Sequence, residues 1–287
     1  MKTVTSAEDL RAQIRALRGS GTKIGFVPTM GSLHEGHRSL VQRSVEVCGL
    51  TVVSVFVNPT QFDRAEDLEK YPRRLEEDRR LLDAAGVDLL FTPGAQEMYP
   101  AEFQTWVSPG SLAEPLCGRS RPGHFRGVTT VVTKLFHLVE PDQAYFGQKD
   151  FQQARILQRM ALDLDFAVKV RILPTVREKD GLACSSRNLR LTAQQRRVAP
   201  ALHRALLEAG ARFDAGERDP RRLIQAGRLA LAQQPLLRED YFELRDDETL
   251  EEPARVGRSG VLAAAVFLGD VRLIDNLLLG EALKRLS

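Results

Sequence analysis

Residues 23–57 read K-I-G-F-V-P-T-M-G-S-L-H-E-G-H-R-S-L-V-Q-R-S-V-E-V-C-G-L-T-V-V-S-V-F-V. The run Lys23–Val27 is apolar on both of its alternating faces and stops at Pro28. Gly36–Cys48 then sets Leu40, Val41, Ser44, Val45 and Val47 at near-helical spacing, and Thr51–Val57 is a second β-branched run closed by Asn58-Pro59. A strand without polar alternation is one buried on both faces, as in a parallel sheet covered by helices. Strand, turn, helix, strand is therefore the unit from which the first half of the chain is built.

The same grammar continues outward. Pro72–Ala85 carries Leu75, Leu81 and Leu82 among charges and ends at Gly86; Val87–Phe91 follows as a third strand, stopped by Thr92-Pro93-Gly94. Phe125–Val139 reads as a helix, Gln143–Phe146 as a strand, Asp150–Leu162 as a helix and Ala167–Leu173 as a strand. Such alternation predicts an α/β fold with a Rossmann-like doubly wound parallel sheet. After Pro174 the pattern changes: helical stretches at Ala193–Ala215 and Pro220–Gln234 precede strand-like Asp240–Arg245, Val261–Leu268 and Val271–Leu278, with a Gly269-Asp270 hairpin signal between the last two. That predicts a smaller C-terminal α+β domain. The boundary falls near residues 174–185, without a Ser/Gly-rich linker.

Composition excludes several classes. Of 287 residues, 43% are hydrophobic and 28% charged, ordinary for a globular protein able to bury a sizeable core. A net charge of +3 without a dense basic run argues against a nucleic-acid coat. Cys48, Cys117 and Cys184 are far apart and form no C-x-x-C pair, which suits a reducing compartment. The first ten residues lack an apolar signal core, and no run reaches the roughly 18–20 apolar residues of a membrane span. The expectation is a cytoplasmic protein.

The turn between the first two strands holds His34 and His37, two of five histidines, close to Pro28, Gly31 and Gly36. Three readings are open: a metal site, an incidental polar loop, and an anion site. The helical zinc motif H-E-x-x-H needs histidines four apart; these are three apart, and no third ligand is near in sequence. Ligands of a parallel sheet bind beyond its strand carboxyl ends, and a helix start offers unpaired N–H groups to an anion. Imidazoles there can donate to phosphate oxygens as charge develops.

Four further segments carry chemistry. Val55–Phe62, V-F-V-N-P-T-Q-F, ends the second strand in an Asn-Pro turn, and the Gln61 amide can both donate and accept. Gly123–Lys134 sets His124 and Arg126 before a helix, in roles from capping to anion orientation. Ala144–Gln153, A-Y-F-G-Q-K-D-F-Q-Q, ends a strand with Gly147, adds the point charge of Lys149, and has Asp150 as a helix cap or a partner of a magnesium-bound nucleotide. Gln153 lies one turn further on. Val176–Leu191 contains Ser185, Ser186 and Arg187, two hydroxyls and a forked cation suited to a triphosphate.

P-T-M-G-S-L-H-E-G-H resembles the H-x-G-H signature of the nucleotidylyltransferase superfamily, shared with class I aminoacyl-tRNA synthetases. With the other four segments, in order from about Phe26 to Leu191, it resembles the pantothenate synthetase (pantoate–β-alanine ligase) family. The resemblance implies ATP-dependent ligation of pantoate to β-alanine through a pantoyl adenylate, releasing AMP and pyrophosphate. It implies ATP and Mg2+, no nucleic-acid or membrane partner, and a homodimer. It places ATP on Met30, Gly31, His34, His37, Gly147, Lys149, Asp150, Val176, Cys184, Ser185, Ser186 and Arg187, and pantoate or β-alanine on Gln61 and Gln153. His37, His34 and Lys149 are the expected catalytic groups. It also implies a Rossmann-like ATP- and pantoate-binding domain over residues 1–176 and a domain over 177–287 that covers the active site. The chain departs from the family at Gln148, commonly Glu, and at Cys184, often Met. Another H-x-G-H nucleotidylyltransferase is the alternative enzyme, and an RNA-binding module on the same fold the alternative class; the paired glutamines and the near-neutral charge count against them.

Overall fold

A computed structural model describes residues 1–18, 21–63 and 65–282. Among the described residues there are nine strands: β1 (Lys2–Val4), β2 (Ile24–Thr29), β3 (Leu50–Val55), β4 (Leu89–Phe91), β5 (Gln143–Gly147), β6 (Lys169–Leu173), β7 (Arg238–Arg245), β8 (Ser259–Leu268) and β9 (Val271–Gly280). The helices are α1 (Ala7–Leu17), α2 (Glu35–Val47), α3 (Ala65–Glu69), α4 (Leu75–Ala84), α5 (Ala95–Met98), α6 (Cys117–Ser120), α7 (His124–Val139), α8 (Phe151–Asp163), α9 (Ala193–Val198), α10 (Ala201–Asp214) and α11 (Pro220–Ala232). The chain divides into two compact units, one of residues 1–147 with 153–173, the other of residues 148–152 with 174–287.

The first unit is built on a six-stranded sheet in the order β1-β4-β3-β2-β5-β6. Every pairing in it is parallel. Ile24, Phe26, Val27, Val52, Val53 and Leu89–Phe91 are all fully buried, the two-sided burial that their unbroken apolar runs require. From β2 the chain builds outward through β3 and β4 on one side, and β5 and β6 lie on the other, so the switch in strand order falls between β2 and β5. Register places Thr29 beside Val55 and Gly147 beside Leu173, so the loops after β2, β3 and β5 leave one edge of the sheet. A crevice at that point is where doubly wound sheets hold ligands.

The second unit is an antiparallel sheet in the order β7-β8-β9 with α10 and α11 packed on it. Ala205, Leu206 and Ala209 of α10 and Leu223 of α11 share a core with Leu262, Ala264, Val266 and Leu273. The single helix expected over 193–215 is two: α9 ends at Val198, and Pro200 opens α10. Proline has no N–H for the continuing ladder but sits without cost at a helix start.

Two elements of the first unit escape the sequence pattern. Strand β1 is three residues long and pairs with β4, Lys2 to Leu89 through Val4 to Phe91. Helix α1 buries Leu10 and Ile14, and Ser6 caps it by accepting from Asp9 N–H at 3.1 Å. The S-x-x-D spacing ahead of Leu10, Ile14 and Leu17 is the signal that would have found it.

Candidate functional site

The loop after β2 is held by a buried carboxylate. Gly31 has φ +82, a left-handed conformation that costs glycine little, and Ser32 follows at φ 52. Asp78 of α4, 3% exposed, accepts from the N–H groups of Ser32 and Leu33, both at 2.8 Å. Burial pushes the Asp78 pKa up, and the two backbone donors offset part of that. A Cβ at Gly31 would stand 3.0 Å from Asp78 Oδ2, so glycine also makes room for the clasp.

The loop delivers His34 to the N-cap of α2 and His37 to its first turn. His34 Nδ1 accepts from Gly36 N–H at 3.1 Å, and His37 Nδ1 accepts from His34 N–H at 3.3 Å. The two rings lie 4.1 Å apart, centroid to centroid. This is a capping box made by imidazoles in place of hydroxyl and carboxylate. An Nδ1 that accepts carries no proton, so each neutral ring is an Nε2–H tautomer. Both rings are thus set as donors at the N-terminus of a helix, whose dipole favours an anion. The same arrangement spends the Nδ1 lone pairs on the backbone. Among the described residues no three His, Cys, Asp or Glu side chains gather in a metal-binding group.

After β3, Asn58 organises the turn that carries Gln61. Asn58 Nδ2 donates to Gln61 Oε1 at 2.9 Å and to Gly127 O at 3.1 Å, while its Oδ1 accepts from the Tyr99 and Thr60 hydroxyls, each at 2.9 Å. With Oε1 engaged, Gln61 presents its Nε2 hydrogens, a donor set for a carboxylate or hydroxyl. The Gln61 carbonyl is itself gripped by His124 Nδ1 at 2.7 Å and Arg121 at 3.0 Å. His124 therefore supports Gln61 through the main chain, and Arg126 lies over the Trp106 ring at 4.4 Å. Gly127 permits this approach: a Cβ there would meet Thr60 O at 2.4 Å.

At the end of β5, no atom lies within 4 Å of the place a Cβ of Gly147 would occupy. The protein's own packing does not demand glycine there, and the space beside it is open. Met30 is part-buried in the loop after β2, and Gln153 is part-buried in α8. Met30, Gly31, His34, His37, Gln61, Gly147 and Gln153 thus belong to the first unit.

The second unit holds the cationic residues. Burial pushes the Lys149 pKa down; Asp150 opposes the shift, Arg187 adds to it and Asp275 opposes it. Val176 and Cys184 face each other across a hairpin, with Cys184 N–H donating to Val176 O at 3.0 Å and Glu178 N–H to Leu182 O at 2.8 Å. Ser185 caps the short helical turn Ser186–Arg190, its hydroxyl accepting from Arg187 N–H at 3.2 Å. Asn188 ties that turn back to Glu178 at 2.7 Å and Ala183 O at 3.1 Å. Lys149, Ser185, Arg187, His203, Arg272 and Asp275 line one small cavity. An ammonium, two guanidinium groups and a hydroxyl around one hollow are the donors a phosphate chain needs. Asp150 lies exposed at the mouth of α8.

A family model described as pantoate-beta-alanine ligase matches residues 2–278. The chain belongs to the pantoate–β-alanine ligase family. A pantothenate synthetase of Pelotomaculum thermopropionicum is 50% identical over 281 residues, covering 98% of this chain and 100% of that one. The crystal structure of a pantoate–β-alanine ligase (pantothenate synthetase) from Thermus thermophilus is 48% identical with a TM-score of 0.92, covering 96% of this chain and 99% of the other. A Francisella tularensis pantoate–β-alanine ligase, solved in complex with β-γ ATP and β-alanine, is 32% identical with a TM-score of 0.80 over 97% of each chain. The chain is thus an acid–amine ligase joining pantoate to β-alanine, on the doubly wound fold that its relatives share. Among the described residues of this ligase no helix is long and apolar enough to cross a membrane.

Sequence reasoning missed Asn58, Asp78 and Asn276. Asn58 precedes Pro59 and reads there as a turn former; its four hydrogen bonds appear only in three dimensions. Asp78 reads as one of the charges on an amphipathic helix. Asn276 lies in the C-terminal strand, where no motif marks it.

Proposed function

We propose that the ligase works in two half-reactions on ATP. In the first, a pantoate carboxylate oxygen attacks the α-phosphorus of Mg-ATP; the new P–O bond forms as the bond to the β-phosphate oxygen breaks and pyrophosphate leaves. In the second, the neutral amine of β-alanine attacks the acyl carbon of pantoyl adenylate. The C–N bond forms, the acyl–phosphate C–O bond breaks, AMP leaves, and the amine gives up a proton to solvent. The observation that carries this reading is the reciprocal His34–His37 cap, which fixes two imidazoles as Nε2–H donors at the switch point of the sheet.

Charge spreads over the phosphate oxygens in such a displacement, and preset donors stabilise it without reorganising. His37 is the group we assign to the α-phosphate, with His34 beside it. Lys149, Ser186 and Arg187 supply the remaining charge and hydrogen bonds, and Ser185 holds the turn that presents them. Met30, Gly31, Gly147, Val176 and Cys184 give the nucleotide main-chain contacts and room. Gln61 and Gln153 hold pantoate, the orientation of Gln61 being set by Asn58. The exposed carboxylate of Asp150, with phosphate oxygens and water, matches the ligand set magnesium prefers, and the ion would neutralise phosphate charge. We further take the enzyme to be a cytoplasmic homodimer; its three cysteines form no disulfide, as a reducing compartment requires, and sedimentation would test the dimer.

The decisive experiment is isotope exchange between labelled pyrophosphate and ATP. Exchange that needs pantoate and proceeds without β-alanine is expected, with 18O moving from the pantoate carboxylate into AMP in the full reaction. Label found in inorganic phosphate, with ADP as product, would replace the adenylate by an acyl phosphate.

A further inference from the structure

Asn276 stands in β9, opposite Ala263 of β8, and is 2% exposed. Its Nδ2 donates to Gln148 O at 2.8 Å and to Lys149 O at 3.0 Å. Its Oδ1 accepts from Gln148 Nε2 at 2.9 Å. Every hydrogen-bonding position of the carboxamide nitrogen is thus spent on two consecutive residues that lie more than a hundred positions away in sequence. A buried amide is costly unless fully bonded, and this one is satisfied by a single dipeptide. Strand alternation turns the preceding residue to the other face of β9. There Asp275 accepts from both arms of Arg177, at 2.6 and 3.0 Å, and Arg177 also donates to Gly181 O at 3.1 Å. Arg177 belongs to the hairpin that ends in Ser185–Arg187. Two neighbouring side chains of one strand therefore reach the two segments that bring Lys149 and Arg187 to the same cavity.

We propose that Asn276 is a positioning residue for Lys149, clamping the main chain of Gln148 and Lys149 so that the lysine stem starts from a fixed point. The inference rests on the role given to Lys149 above. A lysine ammonium rides on four rotatable bonds, so its location at a phosphate depends on how firmly its backbone is held. A carboxamide is required because only it offers two donors to the two carbonyls and one acceptor to Gln148.

The test compares N276D and N276S with wild type and K149A, in full-length enzyme, by pantoate-dependent pyrophosphate exchange and by the overall reaction. N276D retains the size of the side chain but faces the two carbonyls with oxygen. We expect its exchange rate to fall about 10²-fold, the cost of misplacing a catalytic group by about an ångström, while the KM values for pantoate and β-alanine stay within about twofold. N276S, too short to reach both carbonyls, should fall in the same direction. The readout that a merely structural asparagine would not move is the double variant N276D/K149A. It should match K149A alone within about twofold, because the clamp has nothing left to hold. Additive losses in the double variant overturn the proposal. So does a loss confined to the folded fraction, with the rate per folded molecule unchanged in N276D or N276S. Full exchange by K149A would overturn the underlying role of the lysine as well; an impaired K149A beside a normal N276D rejects the clamp alone.

Discussion

His34 does two jobs that substitution can separate. Its Nδ1 caps α2, and in the mechanism proposed above its Nε2–H donates to phosphate. Asparagine is a good N-cap, so H34N should keep the thermal midpoint near wild type while adenylation falls by about 10²-fold or more. H34A should lose the same activity and in addition about 1 kcal/mol of stability, read from denaturant midpoints. Equal stability of the two variants would mean that the ring does not cap the helix. H37A should reduce pantoate-dependent exchange by about 10²–10³-fold with substrate KM values little changed; near-normal turnover in a folded variant would remove His37 from the phosphate. The placing of both rings at one strand-to-helix turn was legible because H-x-G-H follows an apolar run and carries a glycine between them. The tautomer was not legible, since it depends on which main-chain N–H meets which nitrogen.

At the scale of elements, the turn carrying Gln61 and helix α7 fit through Gly127, where the Thr60 carbonyl passes 2.4 Å from an added Cβ. G127A should push the two apart, costing about 1–3 kcal/mol in stability and raising the KM for pantoate more than that for ATP. A variant with unchanged KM for pantoate would show that the turn does not position Gln61 for that substrate. The inner strands β2, β3 and β4 could be read directly because two-sided burial leaves unbroken apolar runs. Strand β1 could not, since three residues at a sheet edge carry no periodicity, and β1 exists by virtue of Leu89–Phe91. The division of 193–215 into α9 and α10 hinges on Pro200, whose helical φ of −62 is compatible with either a kink or a new start.

At the scale of the whole chain, Asp275 ties residues of the second unit that are distant in sequence. Burial works against its charge, but the His203 ring 3.5 Å away and the two hydrogen bonds from Arg177 outweigh it and hold the carboxyl below the usual carboxylate range. A carboxylate with a lowered folded pKa lends stability that is complete above its unfolded pKa and disappears as pH falls through the folded value. D275N should therefore be destabilised by roughly 3 kcal/mol near neutral pH, the penalty for leaving a partly buried cation without its partner. The gap to wild type should narrow as pH drops below the ordinary carboxylate pKa of about 4. A gap that stays constant from neutral to acid would show that the ion pair contributes nothing through its charge. Neither Asp275 nor Asn276 could be found by motif, for the meaning of each lies in partners about a hundred residues back.

That separation has a consequence for synthesis. The segment with Lys149 leaves the ribosome 127 residues before the asparagine that grips it. At roughly 5–20 residues per second, the interval is on the order of ten seconds. From residue 173 onward every strand of the first unit's sheet has been made, while the main chain of Lys149 still lacks its Asn276 partner. The positioning role proposed for Asn276 therefore predicts that a chain lacking β9 is impaired in pantoate-dependent pyrophosphate exchange.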